Sequence, residues 1–153
     1  MNDDEFNAFV DNLQGEVFRE AKDALGERGF DRWRNPKFCG RLDNPDCYGK
    51  LTGDCGDTME MYLNISGDRV EQVGYFTDGC SSSSIAGSFA AELAVGKSFE
   101  EVLDLRGSDV LQKIGQFPKE EEHCAHLAVR TLQEALNTYL IEKTSSLHQE
   151  KVG

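Results

Sequence analysis

The chain is short of positive charge. Sixteen Lys and Arg stand against 28 Asp and Glu, a net charge of −12 over 153 residues. Such a field repels phosphate backbones and anionic headgroups, so neither nucleic acid nor a membrane surface is an expected partner, whereas metal cations and basic protein faces are. A long apolar run is also missing: no stretch approaches the ~18 residues of a membrane-spanning helix. The first residues, MNDDEF, are acidic where a secretory or mitochondrial targeting segment is basic, and a cytoplasmic protein is expected. There is no internal repeat, no C-x-x-C pair of a zinc ribbon, and no pairing of H-x-E with P-C-x-x-C as in zinc deaminases. Strand and helix patterns do not alternate, which argues against a doubly wound parallel sheet.

What remains is an ordinary globular composition, 39% hydrophobic and 29% charged, with five cysteines. In a chain of this kind, thiols point to metal or redox chemistry more than to disulfides. Phe6, Phe9, Leu13, Val17, Ala21 and Leu25 recur at spacings of three and four, predicting an amphipathic helix that closes near Gly26. GFDRWRNPKFCGRLDNPD, residues 29–46, reads as a loop with two Asn-Pro dipeptides. YGKLTG offers a short edge strand. TMEMYLNI alternates, with Met59, Met61, Leu63 and Ile65 on one face, and SGD turns the chain into a return strand, RVEQVGYFT. A helix with Ile85, Phe89 and Leu93 inward follows, stopped by Gly96. Ser98 and Glu101 make a capping box for a short helix, and Ser108 is placed to cap another ending near Gln116. A last long helix is predicted from about Glu122 to about Glu142, with Leu127, Ala128, Thr131, Ala135 and Tyr139 inward. The expected class is α+β: a small antiparallel sheet of about three strands packed by helices, within one domain over 1–143. Residues 1–34 form its N-terminal helix and lead-in, and 144–153 a flexible tail.

Three cysteines fall at element ends, where a scaffold holds reactive side chains. Cys55 lies in GDCGD before the hairpin, Cys80 in DGCSSSS before a helix, and Cys124 beside His123 at the start of the last helix. Glycines flank the first two thiols and leave room for a bulky inorganic ligand. A helix start and a neighbouring imidazole both favour a thiolate at Cys124. Three soft thiolates, joined by His123 or Asp57, select zinc or iron–sulfur clusters over magnesium or calcium. Cys39 and Cys47 read as loop thiols. His126 and Lys119 read as surface groups, His148 as a tail residue, and Ser81 to Ser84 as a helix cap whose hydroxyls can reach bound sulfur.

NPKFCGRL, GDCGDTMEMYL, YFTDGCSSSSIAGSFAAELAVGKSFEE and HCAHLA together resemble the IscU/NifU family of iron–sulfur cluster assembly scaffolds, over roughly residues 35–140. The resemblance implies that Cys55, Cys80 and Cys124 hold iron and sulfur as a 2Fe–2S cluster, with His123 and Asp57 at the family's further ligand positions. It implies a cysteine desulfurase as sulfur source, an electron-donor protein, and apo iron–sulfur proteins as recipients. Among the thiols, Cys124 is expected to be the first sulfur acceptor, because its helix start and His123 favour the thiolate. Asp57, a hard ligand for a soft cluster, is expected to keep the site labile. Such a protein is a carrier and no enzyme in the turnover sense. The alternative within the resemblance is the zinc-dependent sulfur acceptor of the SufU branch, and a weaker third class is a structural zinc module. Zinc is expected in the protein as purified. Where the bacterial branch carries the Leu-Pro-Pro-Val-Lys motif that docks an Hsp70-type chaperone, this chain reads FPKEEEHC, which puts that partnership in question.

Overall fold

The computed structural model describes residues 2–152, with side chains through Ser145. Its elements are α1 (Asp3–Arg34), β1 (Cys47–Thr52), β2 (Thr58–Ser66), β3 (Arg69–Thr77), α2 (Ser81–Ala94), α3 (Phe99–Leu103), α4 (Gly107–Ile114) and α5 (His123–Val152), with a 3-10 turn at Lys119–Glu121. The strands form an antiparallel meander in the order β1-β2-β3. The class is α+β, as expected from the grouping of the strand signals.

Burial explains the arrangement. Met59, Met61 and Leu63 on β2 are fully buried beneath the helices, together with Ile85, Ala90 and Ala94 of α2 and Ala128, Leu132 and Leu136 of α5. Each Met, Leu or Ile among them contributes on the order of 1.5–3 kcal/mol when taken out of water. α5 lies so close to β1 that a Cβ on Gly49 would stand 2.7 Å from the Thr131 carbonyl oxygen and the Ala135 nitrogen. Only a residue without a side chain fits there. The hairpin alternation is incomplete, because Glu60 and Tyr62 on the other face are buried as well. Arg41 caps that face, pairing with Glu60 at 3.0 Å and stacking 4.0 Å over Phe76.

Three boundaries differ from the sequence reading. The first helix does not close at Gly26. It breaks there, at φ 77 and ψ 171, and resumes to Arg34. A positive φ of this kind costs glycine little. The second segment, read as loop, is helical because tertiary contacts hold it: buried Arg32 donates to Ser88 Oγ at 3.0 Å, pairs with Glu92 at 3.0 Å, and stacks 4.0 Å over Phe89. Ser98 and Glu101 do form the capping box of α3. α4, however, starts at Gly107, two residues earlier than a Ser108 cap implies, its first turn closed by Asp109 accepting from the Arg106 backbone N–H at 2.9 Å, and Ser108 is not its cap. The backbone of α5 continues as helix to Val152. The flexible tail expected over 144–153 falls mostly on side chains outside the described residues, His148 among them.

Candidate metal and sulfur site

Three connections meet at one end of the sheet. The β1–β2 loop is pinched by hydrogen bonds from Gly53 N to Asp57 O and from Gly56 N to Gly53 O, both 2.9 Å, and carries Cys55 at its tip. Asp57 follows immediately before β2. The β3–α2 connection brings Cys80 to the N-cap of α2. Thr58 N donates to Asp78 Oδ1 at 2.9 Å, which locks these two connections together. The third contribution is the start of α5, with His123 and Cys124 in its first turn.

Asp57, Cys80 and Cys124 each present one ligand atom, and the three lie within 4.8 Å of one another. Cys124 also belongs to a second group of the same tightness with Glu121 and His123. Donors at such spacing can share one cation after small rotations, and two thiolates with a carboxylate or imidazole suit zinc or iron. Ser83 organises the first group. Its Oγ donates to Asp57 Oδ2 at 2.7 Å and lies 3.4 Å from Cys124 Sγ. Gly79 makes room for that contact, since a Cβ there would stand 2.7 Å from Ser83 Oγ and 2.8 Å from the Asp57 carboxylate.

Cys55 stands apart. It is exposed and belongs to neither tight group. It lines a cavity of about 470 Å³ with His123, His126 and Arg130, floored by Leu127. His123 thus faces both the cavity and the second donor group, which joins the Cys55 loop to the site.

The thiol of Cys124 is not the activated thiol that its helix start and its histidine neighbour suggest. Burial pushes it up to about 12. The hydrogen bond from Ser83 opposes that rise, and the charges of Cys80, Glu121 and Asp57 add to it. Burial outweighs the helix dipole, because desolvation penalises the thiolate directly. Cys47 differs from its expected place too. It is the first residue of β1, buried against the core, and burial raises its thiol to about 12. Cys39 is exposed and bridges to Tyr75. Neither joins the donor groups.

Sequence reasoning missed Glu121, whose Oε2 lies 3.8 Å from both His123 Nε2 and Cys124 Sγ. The run EEEHC held the signal, but three equivalent glutamates gave no basis for choosing the one that the 3-10 turn points inward. It also missed Arg130, which among the described residues makes no ion pair. Of the serine run, it could not single out Ser83.

A small α+β domain thus presents thiols, carboxylates and an imidazole where three connections meet, a donor set suited to a soft metal. Residues 26–146 match the NifU-like N terminal domain family, and the chain belongs to that family. It is 32% identical over 131 residues to the iron-sulfur cluster assembly scaffold protein IscU 1 of Archaeoglobus fulgidus, covering 82% of this chain and 86% of that one. It is 27% identical over 121 residues to the scaffold protein IscU of Escherichia coli K12, covering 76% and 94%. Among solved structures, the fold is like that of a NifU-like protein (N-terminal) from Brucella abortus, with a TM-score of 0.62 at 18% identity over 80% of this chain and 98% of that one. It is also like a putative SUF-system scaffold from Fervidobacterium islandicum, with a TM-score of 0.59 at 24% identity over 72% and 95%. No described helix is long and apolar enough to cross a membrane.

Proposed function

We propose that this protein is a scaffold on which a 2Fe–2S cluster is assembled from iron and desulfurase-derived sulfur, and from which it passes to apo-proteins. The observation that carries this reading is the meeting of Asp57, Cys80 and Cys124, from three separate elements, within 4.8 Å. The scaffold names borne by its relatives support it further. Cys124 holds the substrate iron from the buried side and Cys80 from the exposed N-cap of α2, and Cys55 completes the thiolate set from its exposed loop. Either Asp57 or His123 fills the remaining position.

A thiol pushed up to about 12 is protonated at neutral pH. Metal binding requires the deprotonated ligand and displaces the proton. Cys124 is then the sulfur acceptor: its thiolate attacks the terminal sulfur of a donor persulfide, an S–S bond forms on Cys124, the donor S–S bond breaks, and the donor leaves as thiolate. Reduction of that sulfane sulfur to sulfide takes two electrons from an electron-donor protein. The setting proposed is the cytoplasm.

A second reading is a zinc-dependent sulfur acceptor of the SufU kind. It is favoured by the same donor group, since two thiolates and one carboxylate leave a tetrahedral zinc with an open fourth position. Anaerobic reconstitution with iron, cysteine and a desulfurase, followed by absorption and Mössbauer spectra and by transfer to an apo-ferredoxin, separates the readings. A transferable 2Fe–2S chromophore supports the scaffold. Zinc retention with stimulated desulfurase turnover and no chromophore would replace it with the sulfur acceptor, and zinc retention without either activity with a structural zinc module.

A further inference from the structure

The first half of α1 buries almost nothing. Phe6, Phe9, Leu13 and Val17, aligned at spacings of three and four on one face, are 56%, 52%, 46% and 56% exposed. Residues at such spacing form one stripe on a helix, and a stripe of large apolar side chains left in water marks an interaction surface. This segment also precedes the family domain, whose match begins at the break, Gly26. The domain therefore does not need it as core.

The base of this helix is fixed. Phe18 packs edge-on against Phe30 at 6.0 Å, with the Arg34 guanidinium 4.6 Å over the Phe18 ring. Gln116 Nε2 donates to the Asp23 carbonyl at 2.7 Å. Gln116 belongs to the connection between α4 and α5 that leads into Glu121, His123 and Cys124. Anything seated on the stripe is thus held beside that connection.

Charge selects the occupant. Asp3, Asp4, Glu5, Asp11 and Glu16, all exposed, make the segment that carries the stripe acidic, and Glu20 and Asp23 extend an acidic row from Glu16 beyond Val17. No Lys or Arg falls within residues 3–17; Arg19, three residues after Glu16 and four before Asp23, sits beside the row past the end of the stripe, and Lys22 falls on the far side of the helix. Charges flanking an apolar seam set partner choice. A second copy paired antiparallel would set this acidic row against itself, and one paired parallel would meet no cationic margin. An anionic membrane is repelled in the same way. We propose that the first half of α1 is a docking helix for a partner protein that presents an apolar groove bordered by Lys and Arg.

A photo-crosslinking residue at Phe9 in the full-length chain, used in the native cell, captures whatever covers the stripe, and the captured protein is then purified for binding measurements. The expected result is a heterologous partner whose affinity falls at least about tenfold with Leu13→Asp. The double variant Glu16→Lys/Glu20→Lys should also weaken it about tenfold, and added salt should weaken the unaltered pair. Far-UV circular dichroism and thermal melts of these variants should match the parent, since every altered side chain is exposed. Cross-links only between copies, no cross-linked partner at all, or binding indifferent to the charge reversal would each overturn the proposal. So would co-sedimentation with phosphatidylcholine vesicles that Leu13→Asp abolishes.

Discussion

Removing the Asp57 carboxylate should make Cys124 a better thiolate and the site a slower donor. The structure sets the size of the effect. The Asp57 and Cys124 ligand atoms lie within 4.8 Å, a separation at which two unit charges repel by about 1 kcal/mol in water and by about 3 kcal/mol at an effective dielectric of about 20. Cys80, in the same group, is exposed, so the site is partly wetted and the lower half of that range applies. A repulsion of ~1–2 kcal/mol is about one pKa unit. Burial is the larger cause of the raised Cys124 thiol and stays in place. The Asp57→Ala variant should therefore titrate about one unit below the parent's value of about 12, without reaching the 9.0 of an ordinary thiol. Ser83 Oγ, freed from the carboxylate it now serves at 2.7 Å, adds to the fall by donating to the thiolate. Carbon NMR of Cβ-labelled cysteine, resolved by comparison with single Cys→Ser variants, reads the Cys124 midpoint directly. In reconstituted protein the same change removes a hard, weak ligand and one negative charge beside an anionic cluster, so the chromophore should persist longer and transfer more slowly. An unchanged or raised midpoint would refute the electrostatic argument. A cluster lost faster would make Asp57 a supporting ligand.

Ser83→Ala removes the one hydrogen bond that lowers the Cys124 thiol, so the same NMR titration should move the midpoint up, opposite to Asp57→Ala. Cys47→Ser places a hydroxyl in a buried strand position and should cost about 1–3 kcal/mol in urea unfolding while sparing cluster assembly, whereas Cys39→Ser, at an exposed site, should change neither. Cys47 and Cys124 both hold their protons above the ordinary 9.0, to about 12. The folded state then binds more protons than the unfolded one between those values, and stability should fall as pH rises through that window. Cys47→Ser should flatten the fall in alkaline urea titrations. Arg32→Ala leaves Glu92 with Lys113 alone, removes the hydrogen bond to Ser88 and uncovers Phe89, and unfolding midpoints should show a loss of about 1–3 kcal/mol.

By itself the sequence determined what local chemistry determines. Alternation in TMEMYLNI, the turn at SGD, the Ser98–Glu101 box and the apolar stripes of α2 and α5 each act over a few residues, and each yielded the right element. The three candidate thiols stood out for a related reason: each sits next to a glycine or a helix start, and their joint order resembles a family pattern; of the three, the fold brings Cys80 and Cys124 together and leaves Cys55 outside both donor groups. Tertiary structure decided the rest, because it depends on groups far apart in the chain. Residues 27–34 are helical through Arg32's contacts with α2, some 56 to 60 residues away. Cys124 lost its expected acidity because the fold buries it, with Cys80, Glu121 and Asp57 from three connections adding to the rise, and no local rule foresees that enclosure. Glu121 was chosen among equivalent glutamates by one 3-10 turn. The stripe of α1 shows the converse: its periodicity predicted an amphipathic helix, yet only the folded domain reveals that its apolar face is left for something else to cover, since periodicity reports which side is apolar and not what it touches.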